Sequence, residues 1–405
     1  MNFVIFDDEK RSNFFPITLT RSTGDLRVGI LKLRQRISNY FELPETNVIV
    51  SSELESIYKE RHNDWKVNEL STVETIFINS RLKIDENTKN MIFALQLNKC
   101  IVNGDTILAA KCIPKVHKIT AENVTDLFSN LNKIENKDLK YWEFLWELIE
   151  ENSVYIKRDF NEVFYDKDNY FETELGTTVI NPYNVWIGEG TSIKPGVVID
   201  ATDGPVVLDE NVTIMANAVI IGPVYIGKGS TIKVGAKIYE GTSIGPVCKI
   251  GGEVEETIFQ GYSNKQHDGF LGHSYLGEWI NLGADTNNSD LRNDYLPVPL
   301  YFYPKQKKVD TGCQFIGAVI GDHSKTGINC TINTGTVIGV GCNVVGSDMI
   351  MNHVSSFSWG FMKTLVEQEF EKFCETAEAV KKRRKLKFSQ AERDLYNKIS
   401  EQNSN

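Results

Sequence analysis

The sequence predicts two folded parts in tandem, an α/β domain over residues 1–170 and a parallel β-helix over 178–360, followed by a helical tail at 361–405. Three observations carry this. Short apolar runs alternate with helical stretches in the first part. Aliphatic residues then recur at every sixth position, and that period stops near residue 360.

The first part contains "NFVIFD", "NVIVSS", "TIFINS" and "KCIVNGD", short apolar runs that end in polar or turn residues, as buried strands do. Helical stretches such as "RVGILKLRQRISNYF" lie between them, and "DLKYWEFLWELIEENSVYIKRDF" reads as a helix that closes the domain. Strands that alternate with helices imply a parallel sheet.

In the second part, residues 208, 214, 220, 226, 232, 238, 244 and 250 are all aliphatic. An earlier phase of the same period holds Ile187, Ile193 and Ile199, and a later one holds Ile320, Ile332, Ile338 and Val344, with Thr326 in the gap. A helix has a period of about 3.6 and a strand a period of 2. A period of six fits a β-helix, in which each hexapeptide is one short strand and a turn. The six-residue register resumes at Ile258 and runs through Asn264, Phe270, Leu276 and Leu282, which places His267 and His273 midway between inward positions, at the surface or corners of the prism. Zinc held between subunits would need a third histidine, for which His323 is the candidate within the repeats.

Composition narrows the function classes. Lys and Arg total 44 against 54 Asp and Glu, a formal charge of −10, which argues against general nucleic-acid binding. The basic run Lys381–Lys385 reads first as a solvated helix face and second as a contact for a bound polyphosphate. The seven cysteines form no CxxC pair, as expected of free thiols in a reducing compartment. The N-terminus turns acidic after six residues and no apolar run approaches ~18 residues, so a cytoplasmic protein with no membrane partner is expected.

The segment "HDGFLG" followed by "NLGA" resembles the His-x-x-Tyr-Leu-Gly and Asn-[Ile/Leu]-Gly-Ala segments of the bifunctional N-acetylglucosamine-1-phosphate uridyltransferase/glucosamine-1-phosphate acetyltransferase family. The resemblance implies a left-handed β-helix behind a Rossmann-like nucleotidyltransferase domain, with acetyl-CoA as cosubstrate and a homotrimer as the assembly. It makes His267 the general base, a role that suits imidazole because the attacking amine must lose a proton near neutral pH. Phe270 stands at the family's tyrosine, and Asn281 at a sugar-contacting asparagine. Lys233 in "TIKVGAKI" stands at a phosphate-contacting arginine, and Ala284, Ile328 and Gly346 would border the acetyl-CoA site. Glu255 and Asp290 occupy positions where the family has a lysine and an asparagine, so Arg292, Lys305, Lys307 and Lys308 would have to supply the charge for a sugar phosphate. His273, in "GHSYLG", is one residue out of register.

The N-terminal part resembles an abbreviated form of the family's nucleotidyltransferase domain. In place of a Gly-rich phosphate loop it has "FDDEKRSNFFPITLTRSTGDLRVGI", where Arg11, Arg21 and Arg27 would hold the triphosphate of a nucleoside triphosphate. Asp105, in "CIVNGDTILAA", corresponds to the aspartate that anchors Mg²⁺. The expected function is acetylation of glucosamine-1-phosphate and uridylyl transfer to the product. Two alternatives stand beside it, a single-activity sugar-1-phosphate nucleotidyltransferase and a non-catalytic scaffold.

Overall fold

The computed structural model describes residues 2–43, 47–167, 169 and 171–403. They form two compact units. The first comprises residues 1–26, 31–145 and 389–396, and the second residues 27–30, 146–388 and 397–405.

The first unit is a seven-stranded sheet. Its order is Lys66–Val67, Asn47–Ile49, Asn2–Phe6, Thr75–Asn79, Thr106–Cys112, Lys99–Asn103 and Asn132–Glu135. The first four strands are mutually parallel and Thr106–Cys112 runs against them. The chain leaves Asn2–Phe6 toward one edge and returns on its other side at Thr75–Asn79, so the switch point lies between these two strands. Open α/β sheets bind ligands beyond the carboxyl ends of the strands at such a point. One face of the sheet packs Ile76, Ile78 and Ile101 on Ile37, Ile92 and Leu95, and the other packs Phe6 and Phe77 on Phe128.

The second unit is a left-handed parallel β-helix with three faces. Ile226 pairs with Ile244, and Ile232 with Ile250, each eighteen residues on, or three hexapeptides per coil. The inward side chains stack in one column-filled core from Val185 to Val354. The first face contains strands such as Glu253–Glu255 and Phe270–Gly272, the second Ile258–Gly261 and Tyr275–Glu278, and the third Lys249–Ile250 and Asn264–Lys265.

The register departs from the sequence expectation after Ile250. Ile238 pairs with Val254, Ile244 with Phe259 and Ile250 with Lys265, so this coil is two or three residues short. The inward positions are therefore Val254, Phe259, Lys265 and Leu271, in place of Asn264 and Phe270. A one-residue slip exchanges inward and outward side chains in a strand. Phe270 consequently faces outward, and Lys265 is 2% exposed, with Nζ donating to the carbonyls of Gly251 and His267. Burial lowers the Lys265 amine to about 8.

The stretch expected to close the first domain is two helices, Leu145–Glu150 and Asn152–Val163, and the second packs on the β-helix unit. Asn152 Nδ2 donates to the Gly241 carbonyl at 2.6 Å, and Asp159 accepts from the Ile30 amide at 2.8 Å. These bonds explain why the units divide near 145 and not at 170. At the other end, Val366–Glu367 pairs antiparallel with Ser358–Gly360 before the helices Phe370–Lys382 and Gln390–Asn403. Among the described residues no helix is long and apolar enough to cross a membrane.

Candidate functional sites

Along the β-helix, each third-face strand ends in a turn at one corner of the prism. Lys233 follows Thr231–Ile232 there, His267 follows Asn264–Lys265, Ile328 follows Lys325–Thr326 and Gly346 follows Asn343–Val344. The backbone stitches these turns together. Asp285 N donates to Asp268 O at 3.0 Å, Asn329 N donates to Ala284 O at 2.8 Å, and Cys330 Sγ lies 3.6 Å from Gly346 O. His267, Ala284, Ile328 and Gly346 therefore climb one corner on successive coils, about 4.8 Å apart. The His267 ring is exposed, with no hydrogen bond among the described residues, and its carbonyl is held at 3.0 Å by Lys265. Ile328 and Val234 expose 68% and 60% of their surface on this corner. Gly346 has φ +104, and a Cβ there would collide with the Phe361 ring.

Phe270 and Asn281 flank the corner on either side. Phe270 is on the first face, where its amide donates to Asn287 Oδ1 at 2.8 Å. Asn281 is on the third face, bridged in parallel to Asn264 and Lys325. Arg292 lies elsewhere, in the insertion after Asp290, and its guanidinium is committed to Asp294 at 2.8 and 2.5 Å. Lys308 and Arg292 line an open cleft there with Ser289, Asn333 and Thr334.

The far end of the first face holds a group that sequence reasoning did not assemble. His273 Nδ1 and Asp290 Oδ2 are 2.9 Å apart, and the imidazole stacks on Phe315 at 5.0 Å. Glu255 joins them. The three offer ligand atoms within 4.8 Å of one another, the one such set among the described residues. Burial raises the Glu255 carboxyl, with Asp290, Glu240 and Glu253 adding to it against His273. Glu256, mostly buried beside it, is raised to about 7. The spacing carried the signal: Glu255 and His273 are eighteen residues apart and His273 and Asp290 seventeen, about one coil each, so the repeat stacks the three on successive coils.

In the first unit, polar side chains fill the switch point. Asp7 and Asp8 leave the end of Asn2–Phe6. Asp7 accepts from Ser80 Oγ at 2.6 Å and Thr23 N at 3.0 Å. Asp8 binds Arg81 Nη2 at 2.5 Å and Asn79 Nδ2 at 2.8 Å. Asp25 accepts from Lys32, Arg34 and the Tyr58 hydroxyl; burial opposes its ionisation, but Arg34 and Lys32 hold it well below the usual carboxylate range. The paired acids after the first apolar run were the available sequence signal.

The expected phosphate-binding arginines fare differently. Arg11 binds Glu53 at 2.9 Å and the Thr18 carbonyl at 2.9 Å. Arg21 is 5% exposed within the loop before Ser22. Arg27 is a correction: it belongs to the second unit, donates to the Ile30 carbonyl and stacks on Tyr225 at 5.2 Å. Its 5% exposure leaves it a packing group, not a free phosphate clamp. Asp105 occupies the exposed hairpin turn between Lys99–Asn103 and Thr106–Cys112, at the carboxyl edge of the sheet. A single carboxylate suits Mg²⁺ when nucleotide phosphates and water complete the octahedron.

Burial raises the Asp7 carboxyl to about 6, with Ser80, Ser22 and Thr23 partly opposing it. The folded state then holds this proton at pH values where the unfolded chain, near 3.8, has lost it. Stability should therefore fall as pH rises from about 4 to 6, by roughly 3 kcal/mol from this group. Urea midpoints measured across that range should show the fall in the wild type and lose that part of it in Asp7→Asn. Parallel profiles for the two proteins would refute the assignment.

A mostly parallel sheet with a polar switch point is thus followed, in one chain, by a hexapeptide β-helix. Residues 3–167 match the model of the sugar nucleotidyl transferase family. A bifunctional sugar-1-phosphate nucleotidylyltransferase/acetyltransferase of Sulfurisphaera tokodaii is 39% identical over 22% of this chain and 23% of its own length. The bifunctional protein GlmU of Methanococcus aeolicus is 28% identical over 59% of this chain and 53% of its own. An uncharacterised acetyltransferase, YaiX, of Escherichia coli is 28% identical over 37% of this chain and 65% of its own. The chain thus spans less than two thirds of each of these relatives. Among solved structures, Francisella novicida UDP-N-acetylglucosamine acyltransferase is 14% identical over 57% of this chain and 85% of its own, with a TM-score of 0.29. The sequence matches show similarity to GlmU-like nucleotidyltransferase/acetyltransferases, whose names are those of transferases.

Proposed function

We propose that the chain works in sugar-nucleotide synthesis, with the β-helix transferring acetyl from acetyl-CoA to the amine of glucosamine-1-phosphate and the first unit coupling the product to UTP with Mg²⁺. The observation that carries the acetyl transfer is the single corner shared by Lys233, His267, Ala284, Ile328 and Gly346. In this reading the exposed apolar edge at Ile328 receives the acyl carrier, and Phe270 and Asn281 hold the sugar on either side of His267. The imidazole takes the proton that the amine loses as it attacks the thioester carbonyl; the thiolate leaves and collects a proton. Asp105 would hold Mg²⁺, which would neutralise charge on the transferring phosphoryl group.

Two assays on the purified protein test this reading. One follows free thiol released from acetyl-CoA with glucosamine-1-phosphate, and the other follows pyrophosphate released from UTP with the acetylated sugar phosphate. Thiol without pyrophosphate would leave an acyltransferase alone, which the internal commitments of Arg11 and Arg27 favour. Silence in both assays would favour a scaffold.

The corner site also implies an assembly. Exposed Ile328 and Val234 lie on an edge that a neighbouring prism would cover, and a three-faced prism closes naturally around a threefold axis. Light scattering at micromolar concentration should give three chains per particle. A monomer would count against both the assembly and a site completed by a neighbour.

A further inference from the structure

The third face carries a crowd of cations next to the His267 corner. Lys249 is paired in register with Thr231 on one side and Asn264 on the other. Lys233 follows Thr231 by two residues, and its amide donates to the Ile250 carbonyl at 2.8 Å. From the end of the helix Phe370–Lys382, Arg384 Nη2 reaches Asn264 Oδ1 at 3.0 Å, with Arg383 beside it. Lys381 fixes this helix end: it is 6% exposed, with Nζ 5.6 Å over the Trp279 ring. The four cations Lys233, Lys249, Arg383 and Arg384 make no ion pair among the described residues. Other lysines on the β-helix have carboxylate partners: Lys194 has Glu174, Lys228 has Glu210 and Lys237 has Glu253.

Like charges on adjacent coils, about 4.8 Å apart, repel. The Lys249 amine registers this, lowered first by burial and then by Arg384, Lys233 and Arg383, with no carboxylate acting on it. The fold holds that repulsion in place by docking the tail helix over Asn264. An anion of matching charge would relieve it. Four cations suit a diphosphate better than a single phosphate, and two arginines supply forked donors for its oxygens.

We propose that Lys233, Lys249, Arg383 and Arg384 form a diphosphate-binding site on the third face, completed by the C-terminal helix. The site stands on the opposite side of the His267 corner from the acidic group Glu255–His273–Asp290, so an anionic ligand entering the corner is drawn to one side and repelled from the other. Its occupant is the diphosphate of a nucleotide-type ligand, either a coenzyme or a nucleoside-diphosphate sugar. The choice of these two rests on the proposed function; the site itself does not.

The test is calorimetric titration of the full-length protein with inorganic pyrophosphate in EDTA, then with coenzyme A and with UDP-N-acetylglucosamine as competitors. Wild type should bind pyrophosphate, and the double variant Lys249→Gln/Arg384→Gln should lose at least about tenfold in affinity for that component. The control Lys194→Gln/Lys228→Gln should bind as wild type does. Without anion the Lys249→Gln/Arg384→Gln protein should unfold cooperatively and keep the wild-type far-UV circular dichroism, which shows that it folds. Competition by either nucleotide supports the proposal and identifies the source of the diphosphate. Unchanged pyrophosphate binding in the double variant, or competition by neither nucleotide, would overturn it. Acetyl transfer can fail in every protein without affecting these readouts, so the two readings fail separately.

Discussion

Replacing His267 with alanine is expected to slow acetyl transfer by about 10²- to 10⁴-fold, the usual contribution of a positioned general base. The ring is exposed and makes no hydrogen bond among the described residues, so its loss should leave the fold intact. Melting temperature should move by no more than a degree or so. His273→Ala should affect rate less, since His273 lies at the other end of the first face, bonded to Asp290. A larger loss from His273→Ala would move the chemistry to the Glu255–His273–Asp290 group and refute the corner site.

Arg81→Ala should be the most damaging single change to the first unit, destabilising it by about 3–5 kcal/mol. Arg81 is 1% exposed and is shared between the Asp8 carboxylate and the Trp142 carbonyl at 3.0 Å. Truncation strands a buried carboxylate, leaves a carbonyl unmet and opens a cavity beside Tyr141. Urea unfolding followed by tryptophan fluorescence reports it, because Trp142 is buried in this unit. The double variant Asp8→Asn/Arg81→Met should recover part of the loss, since no unpaired charge then remains. A loss below about 1 kcal/mol in Arg81→Ala would mean that water reaches Asp8 and that the pair is not sealed in the core.

Both arguments depend on where side chains ended up, and the sequence disclosed these places unevenly. The six-residue period alone determined the β-helix, because only a coil of three short strands returns an aliphatic residue to the same column every eighteenth position. Asn281, Ala284, Ile328 and Gly346 came from the family resemblance, and the structure puts Ile328 and Gly346 in turns after third-face strands. The first apolar runs determined a sheet that is parallel except at Thr106–Cys112, and "FDD" placed two acids where its first strand ends.

Tertiary structure decided the rest. The shortened coil between Ile238 and Val254 moved Lys265 inward and Phe270 outward, because pairing with the coil below, not the local period, sets which side chain points to the core. Arg27 was drawn into the second unit by hydrogen bonds with the Tyr275 hydroxyl, 248 positions away along the chain. The basic run at the tail became a site candidate only when its helix docked beside Lys249. Periodicity is a local property that a sequence displays, whereas which charges lie next to each other depends on contacts between distant segments, and only packing makes those.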